Sequence, residues 1–205
     1  MIPLLLMLAA TDAPAKTPVE AERAFAADAK TIGLWTAFRK WSTDDAVMFV
    51  PQPANAHDFL KDRKDPPKTI DWWPTASYIS CDGKLAVNTG GWKRPDGKVG
   101  YFSTVWKRQP DDSWKWIVDG GDDLKVARNR PTTPRVTIAR CLGKGDAVGT
   151  GAKAPGAKIA SGRSDDGSLQ WLWIVMPNGG RQFTVFSYNG KKLVTAIDDR
   201  IAAEK

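Results

Sequence analysis

Histidine and cysteine are scarce in this chain: one His and two Cys occur among 205 residues. Zinc sites need several Cys or His ligands at close spacing, and a serine or cysteine nucleophile needs a neighbouring base. The glycine patterns of phosphate-binding and dinucleotide-binding loops are also missing. The sequence therefore predicts no metal site and no cofactor, and it provides no nucleophile of the hydrolase type.

Long apolar runs are missing as well. The longest apolar run in the chain is short, and it lies at the amino terminus. Residues 2–10 form an apolar run of about nine residues, whereas a membrane-spanning helix needs about 20. The run is typical of a signal peptide, and Ala13-Pro14-Ala15 fits the small-x-small cleavage pattern, although no Lys or Arg precedes it. We therefore expect residues 1–15 to be removed and the protein to be periplasmic or secreted. The alternatives are a frayed terminus or a start codon placed too far downstream.

The two cysteines can pair if the protein reaches an oxidising compartment. A bond between Cys81 and Cys141 would enclose about 60 residues, which is worth about 4 kcal/mol on the chain-entropy model. Two free thiols are the alternative, and the spacing does not decide between them.

The first half of the chain begins with helical patterns. The capping box Thr17-Pro18-Val19-Glu20 starts a helix directly after the predicted cleavage site. Gly33 divides the region of helical apolar spacing into two helices. Ser42-Thr43-Asp44-Asp45 ends the second helix. The predicted elements are helices at 18–31 and 32–41, a strand at 46–50, and a short helix at 56–63 capped by Asn55.

Alternating residues follow, punctuated by turn sequences such as Asp82-Gly83 and Asp96-Gly97. They predict an antiparallel meander whose strands lie near 71–80, 84–93, 98–108 and 113–119, with Gly120-Gly121 ending the last strand. Trp106 opposite Trp116 is the preferred register, and Lys107 opposite Trp116 is the alternative. The fold class is α+β: a cone-shaped half-barrel of curved antiparallel sheet with helices packed on one face.

The second half is organised differently. Residues 122–156 are basic and rich in Gly and Ala, which indicates a linker. Residues 157–205 contain strand patterns separated by Asn-Gly and Asp-Gly turns, which predict a C-terminal antiparallel β extension. The predicted strands lie near 157–163, 169–176, 181–188 and 191–197. The chain thus divides into a signal peptide (1–15), a cone domain (16–121), a linker (122–156) and an extension (157–205) that packs on the cone.

The cone domain resembles the nuclear transport factor 2-like superfamily, also called SnoaL-like or ketosteroid-isomerase-like. The resemblance covers residues 18–121 and depends on three stretches besides the element order: Ser42–Val47, Asn88–Trp92, and the pair Tyr101–Arg108 with Trp114–Asp119. It is closest to exported bacterial members of uncharacterised function. The resemblance implies a pocket at the open end of the cone. It also implies either a homodimer through the open face of the sheet or coverage of that face by the C-terminal strands.

The catalytic pattern of ketosteroid isomerases is not matched. The resemblance implies a carboxylate base before a proline after the helices, and Val50-Pro51 occupies that place. The donor tyrosine expected on the first helix is missing from residues 18–41. A hydratase or dehydratase of the same fold would need a His–Asp pair. The single His57 lies next to Asp58, and adjacent helical residues do not face each other, so they form no dyad. These departures favour a protein that does not catalyse the isomerase reaction.

Several aromatic residues and one aspartate are candidates for the pocket. Its predicted lining is Trp35, Trp73, Trp92, Tyr101, Trp106 and Asp119. The tryptophans either line a pocket for a flat apolar ligand or fill the core with their own side chains. Asp119 ends the Trp-rich strand, where it acts as a base, anchors a polar group, or stabilises the following turn.

The function that the sequence favours is binding, without catalysis, of a small apolar or amphipathic molecule or of a protein partner. One alternative is a lyase or isomerase with Asp119 as the acid–base residue, and another is a structural protein with a Trp-filled pocket. The net charge of +7 is dispersed and accompanies no nucleic-acid recognition motif. The sequence therefore predicts no nucleic-acid partner.

Overall fold

The computed structural model describes residues 15–142 and 155–203. The predicted signal peptide lies outside these residues except for Ala15, and residues 143–154 of the predicted linker lie outside them too. Within the described ranges, no helix combines the length and the apolar character needed to cross a membrane.

Helices come first in the chain, and strands dominate after them. The helices are α1 (Pro18–Thr31), α2 (Leu34–Trp41) and α3 (Ala56–Leu60). The strands are β1 (Ser42–Phe49), β2 (Pro53–Asn55), β3 (Asp71–Ile79), β4 (Leu85–Lys93), β5 (Val99–Arg108), β6 (Trp114–Leu124), β7 (Arg135–Ile138), β8 (Lys158–Arg163), β9 (Leu169–Val175), β10 (Arg181–Tyr188) and β11 (Leu193–Ile201).

The helix boundaries follow local signals. The capping box at the start of α1 is present, with the Thr17 side chain accepting from the Glu20 amide. Gly33 separates the two long helices with φ of 106°, a conformation that favours glycine. The carboxylate of Asp65 accepts hydrogen bonds from the Trp35 and Thr36 amides at 2.5 and 3.0 Å and so caps α2. Asn55 caps α3, which ends at Leu60 rather than at the predicted Arg63.

Seven strands form the first sheet, in the order β2-β1-β6-β5-β4-β3-β7. The predicted antiparallel meander of β3 to β6 is confirmed, and so is the pairing of Trp106 with Trp116. Two boundaries were predicted wrongly. β1 starts at Ser42, directly after α2, and β6 continues through Gly120-Gly121 to Leu124. The glycine pair permits close approach instead of ending the strand, because a Cβ at Gly121 would lie 2.0 Å from the Tyr101 carbonyl oxygen.

A further strand lies in the segment that was predicted to be a linker. β7 pairs in parallel with β3 at the edge of the first sheet, and all four of its residues are exposed. Exposure hides the burial signal on which the prediction of a strand depends. The sequence therefore did not predict β7.

The C-terminal strands form a second sheet in the order β11-β10-β9-β8. Its three hairpin turns each contain a glycine with positive φ, at Gly167, Gly179 and Gly190, as the sequence predicted. This sheet packs on the face of the first sheet that points away from the helices. The apolar residues between the sheets include Val87, Val105 and Val118 from the first and Leu169, Trp171 and Val185 from the second.

The molecule thus has three layers: helices, curved sheet and second sheet. The fold class is as predicted, with an α+β cone and an antiparallel C-terminal extension. Because the extension covers the outer face of the cone, that face is not free to pair with a second copy. The inner face lies toward the helices.

The two sheets are joined by hydrogen bonds at one end, beside a disulfide bond that links the β3–β4 turn to the segment after β7. Cys81, in the β3–β4 turn, forms a disulfide with Cys141, and their Cα atoms are 5.1 Å apart. Beside it, the Asp82 amide donates to the Asp166 carboxylate at 3.0 Å, and the Asp166 amide donates to the Asp82 carboxylate at 3.4 Å. The β3–β4 and β8–β9 turns therefore bind each other reciprocally.

Replacing both cysteines by serine (Cys81→Ser with Cys141→Ser) should lower the free energy of unfolding by up to about 4 kcal/mol. The reason is that the unfolded chain regains the freedom of a loop with a sequence separation of 60. Urea denaturation measures the difference. A reducing agent should destabilise the wild type and leave the double variant unchanged. Equal urea midpoints for the oxidised wild type and the variant would contradict the expectation.

Candidate ligand-binding site

A cavity of about 380 Å³ opens between the helices and the inner face of the first sheet. Its walls are mainly aromatic and include Phe25, Trp35, Phe38, Trp72, Trp92 and Phe102. The charged residues that border it are Glu22, Arg94, Asp119, Asp122, Asp123 and Arg181. An apolar cavity of this size with a few polar groups is typical of small-molecule sites.

Glu22 lies at the inner end of the cavity and is 1% exposed. Its carboxylate accepts hydrogen bonds from the indole N–H of Trp72 at 2.9 Å and of Trp106 at 2.8 Å. The Asn88 side-chain amide donates to it at 3.2 Å and also to the Pro18 carbonyl at 2.7 Å. A buried carboxylate is costly unless it is hydrogen-bonded, and here three donors from three strands supply those bonds.

The environment of Glu22 changes its acidity. Burial raises the pKa of Glu22 from 4.5 to about 7, opposed by the hydrogen bonds from Trp106, Trp72 and Asn88 and assisted by the negative charge of Asp119. Both protonation states are therefore populated near neutral pH.

Asp119 reaches the cavity because β6 is irregular. The pairing of β5 with β6 shifts by one residue between Val105 and Trp106, which leaves one extra residue in β6. Trp116 faces the helices, Val118 faces the second sheet, and Asp119 faces the cavity again. With regular alternation from Trp116, Asp119 would point into the second sheet.

The carboxyl group of Asp119 is held by one hydrogen bond, in which the Thr104 hydroxyl donates to Oδ2 at 2.7 Å. Burial raises the pKa of Asp119 to about 6. No residue of the described ranges donates to Oδ1, so this oxygen remains able to accept from a bound molecule. Asp119 is therefore a polar anchor or an acid–base group at the cavity wall.

The structure brings together four of the six residues predicted for the pocket. Trp35, Trp92, Tyr101 and Asp119 border the cavity. Trp106 does not border it: the side chain is fully buried behind Glu22. Trp73 borders a separate groove between α1 and residues 130–132, and its indole N–H donates to the Asn129 carbonyl while Arg130 stacks on its ring.

The cavity residues that were not predicted include Glu22, Trp72 and Arg181. A signal for Glu22 exists, because it lies on the apolar face of α1, three residues before Phe25 and seven before Ala29. A carboxylate inside an apolar stripe requires hydrogen-bond donors. Arg181 carries no comparable signal, since it belongs to the second sheet.

Metal binding finds no support in the described residues, which contain no group of three or more His, Cys, Asp or Glu side chains placed to hold an ion. His57 lies away from the cavity, with its Nε2 2.9 Å from the Ser42 hydroxyl oxygen. The buried carboxyl groups at the site, those of Glu22 and Asp119, lie among aromatic rings.

The free energy of unfolding should fall as the pH rises from about 4.5 to about 7. The folded chain holds the Glu22 proton more tightly than the unfolded chain, since folding raises the pKa of Glu22 from 4.5 to about 7. In this window the folded state binds more protons, so stability decreases with pH. Asp119 contributes in the same direction. Glu22→Gln should flatten the decrease, as measured by urea denaturation at several pH values.

A matched control for this experiment is Asp62→Asn, which neutralises an exposed carboxylate. The control should keep the wild-type pH dependence. A Glu22→Gln variant with an unchanged slope would contradict the assignment of the raised pKa to Glu22.

Comparison with known proteins gives a likeness of fold. No protein-family model matches the sequence, and no curated protein is significantly similar to it. A ketosteroid isomerase-like protein of Parabacteroides distasonis is 18% identical, with a TM-score of 0.45, over 54% of this chain and 90% of its own.

Two further solved structures are similar over about half of this chain. A nuclear transport factor 2-like superfamily protein of Salmonella enterica serovar Typhimurium is 14% identical, with a TM-score of 0.39, over 51% of this chain and 87% of its own. The CaMKII hub of S. rosetta is 17% identical, with a TM-score of 0.38, over 52% of this chain and 97% of its own. The helices and curved sheet of residues 18–124 have the α+β cone architecture that the sequence predicted.

Proposed function

We propose that the cavity between the helices and the first sheet binds a small, mostly apolar molecule that carries one polar group. The observation behind this proposal is a cavity of about 380 Å³ with aromatic side chains in its wall, where the buried Asp119 carboxyl group leaves its Oδ1 without a donor. The aromatic walls favour a flat ligand, and Asp119 favours one with a hydrogen-bond donor.

The position of the tryptophans supports binding over a filled core. Trp106, Trp114 and Trp116 pack the closed end of the cone and are almost fully buried. Trp35 and Trp92 are only partly buried and border the cavity. The tryptophans therefore divide into a packed group and a lining group.

We also propose that the protein acts outside the cytoplasm. The disulfide between Cys81 and Cys141 supports this location, because structural disulfides persist mainly in oxidising compartments. The helix that starts at Pro18, two residues after the predicted cut, is compatible with removal of residues 1–15.

A lyase or isomerase activity is the second candidate, and the raised pKa of Asp119 favours it. A carboxyl group with a pKa of about 6 in an apolar cavity can accept and return a proton near neutral pH. The substrate would contain an acidic C–H group, and Asp119 would remove its proton.

The binding proposal is tested with 2-naphthamide, a flat apolar probe with an amide donor. Isothermal titration calorimetry should show binding to the wild type. Trp35→Ala should weaken it about ten-fold, since the loss of one aromatic wall removes apolar contact worth about 1.5 kcal/mol or more. Trp73→Ala is the control, because Trp73 lies in a separate groove.

The control variant should bind 2-naphthamide as the wild type does. Absence of binding to the wild type at millimolar probe would contradict the proposed function. Equal losses in Trp35→Ala and Trp73→Ala would contradict the assignment of the site.

The catalytic candidate makes a different prediction. The wild type should accelerate deuterium exchange at the carbon next to the carbonyl of 1-tetralone, as followed by proton NMR. Asp119→Asn should abolish the acceleration while 2-naphthamide binding persists. Exchange at the same rate in both proteins would rule out Asp119 as the base.

A further inference from the structure

The first sheet has a gap beside the cavity. The pairing of β1 with β6 ends at Met48 and Asp119, and β1 itself ends at Phe49. β6 continues to Leu124, so its residues from Gly120 onward have no strand on that side. Gly120 and Gly121 also have no side chains to fill the space. The inner cavity and the space between the two sheets therefore approach each other here.

Arg181 of the second sheet reaches the inner cavity at this gap. It borders both the large cavity and a small cavity of about 30 Å³ between the sheets. Its guanidinium Nη1 donates to the Pro51 carbonyl oxygen, and its Cζ lies 5.9 Å from the centre of the Phe49 ring. The C-terminal extension thus contributes one charged side chain to the site.

The charge of Arg181 is not compensated within the described residues. No carboxylate oxygen there lies within 4.0 Å of its guanidinium nitrogens. Its Nε is buried and has no acceptor, which distinguishes Arg181 from every other charged side chain at the cavity. Arginine does not deprotonate in proteins, and a buried donor without a partner is costly.

Neighbouring carboxylates do not accept from the unpaired nitrogens of Arg181. Asp119 accepts from Thr104, Asp199 accepts from Ser103 at 2.7 Å, and Asp122 accepts from the Asp123 amide at 2.9 Å. Nη1 is engaged by Pro51, whereas Nε and Nη2 have no partner in the described ranges. The N–H groups of Nε and Nη2 lie side by side on one edge of the guanidinium group, and this geometry matches the two oxygens of a carboxylate.

We propose that Arg181 binds an anionic group of the ligand at this gap, so that the ligand is an amphipathic organic acid. This inference rests on the proposed function and names its ligand class. The apolar body lies among the aromatic walls, and the carboxylate lies at the gap beside Gly120 and Gly121. Arg181 is a specificity-determining residue that the second sheet supplies.

The test compares two probes with the same apolar body, 2-naphthoate and neutral 2-naphthamide. Calorimetry at pH 7.5 and low salt is carried out with the full chain. The wild type should bind 2-naphthoate about ten-fold more tightly than 2-naphthamide, because charge-assisted hydrogen bonds are roughly twice as strong as neutral ones. Arg181→Met should remove this preference and leave the affinity for 2-naphthamide within about two-fold.

Two further variants control for charge and folding. Arg181→Lys keeps the charge but not the bidentate geometry, so it should retain part of the preference. Arg200→Met removes an exposed arginine of the same sheet and should retain all of it. Thermal melts verify that each variant is folded.

Each outcome decides between the two proposals. Binding of 2-naphthamide without any preference for 2-naphthoate would overturn the role of Arg181 and leave the proposed function intact. An Arg181→Met variant that loses both probes equally would also overturn it, since Arg181 would then only shape the cavity. If the wild type binds neither probe, the proposed function is wrong and this inference fails with it.

Discussion

The hydrogen bonds between Glu22 and the indoles of Trp72 and Trp106 determine how the helical layer sits in the cone. They connect α1 to β3 and β5, and Asn88 adds a connection to β4. These bonds fix the depth of α1 above the sheet. The cavity lies between this buried network and the outer edge of the sheet, so its inner end is set by Glu22.

Two irregularities of the first sheet give the cavity its chemical character. The extra residue in β6 turns Asp119 toward the helices, where Thr104 holds it. The early end of β1 opens the gap through which Arg181 reaches the cavity. A regular sheet would have left the cavity without either group. The second sheet therefore does more than cover the outer face of the cone, because it also supplies a cation at the site.

Local signals made much of the fold predictable from the sequence. The capping box at Thr17, the positive φ of Gly33 and the Asp-Gly and Asn-Gly turns each have a short-range physical cause. The register of Trp106 with Trp116 followed from keeping one apolar face on each strand. Four pocket residues could be predicted because aromatic residues and a carboxylate at a strand end are typical of the wall of an apolar pocket.

The remaining features depend on long-range contacts that no local pattern encodes. Trp73 was placed in the pocket by its type, but its side chain lies on the opposite face of β3 from that of Trp72. Gly120-Gly121 has the composition of a turn, and only the close approach of Tyr101 explains its place inside a strand. Arg181 reaches the cavity only because of a gap between strands that are distant in sequence.

The most direct test of the cavity is the indole region of a ¹H–¹⁵N NMR spectrum, recorded during a titration with 2-naphthamide. The ten tryptophans provide one indole signal each. The account predicts that the signals of Trp35, Trp72 and Trp92, which border the cavity, shift together while those of Trp73 and Trp171 do not. Shifts confined to Trp73 or Trp171, or no shift of any indole at millimolar probe, would contradict it.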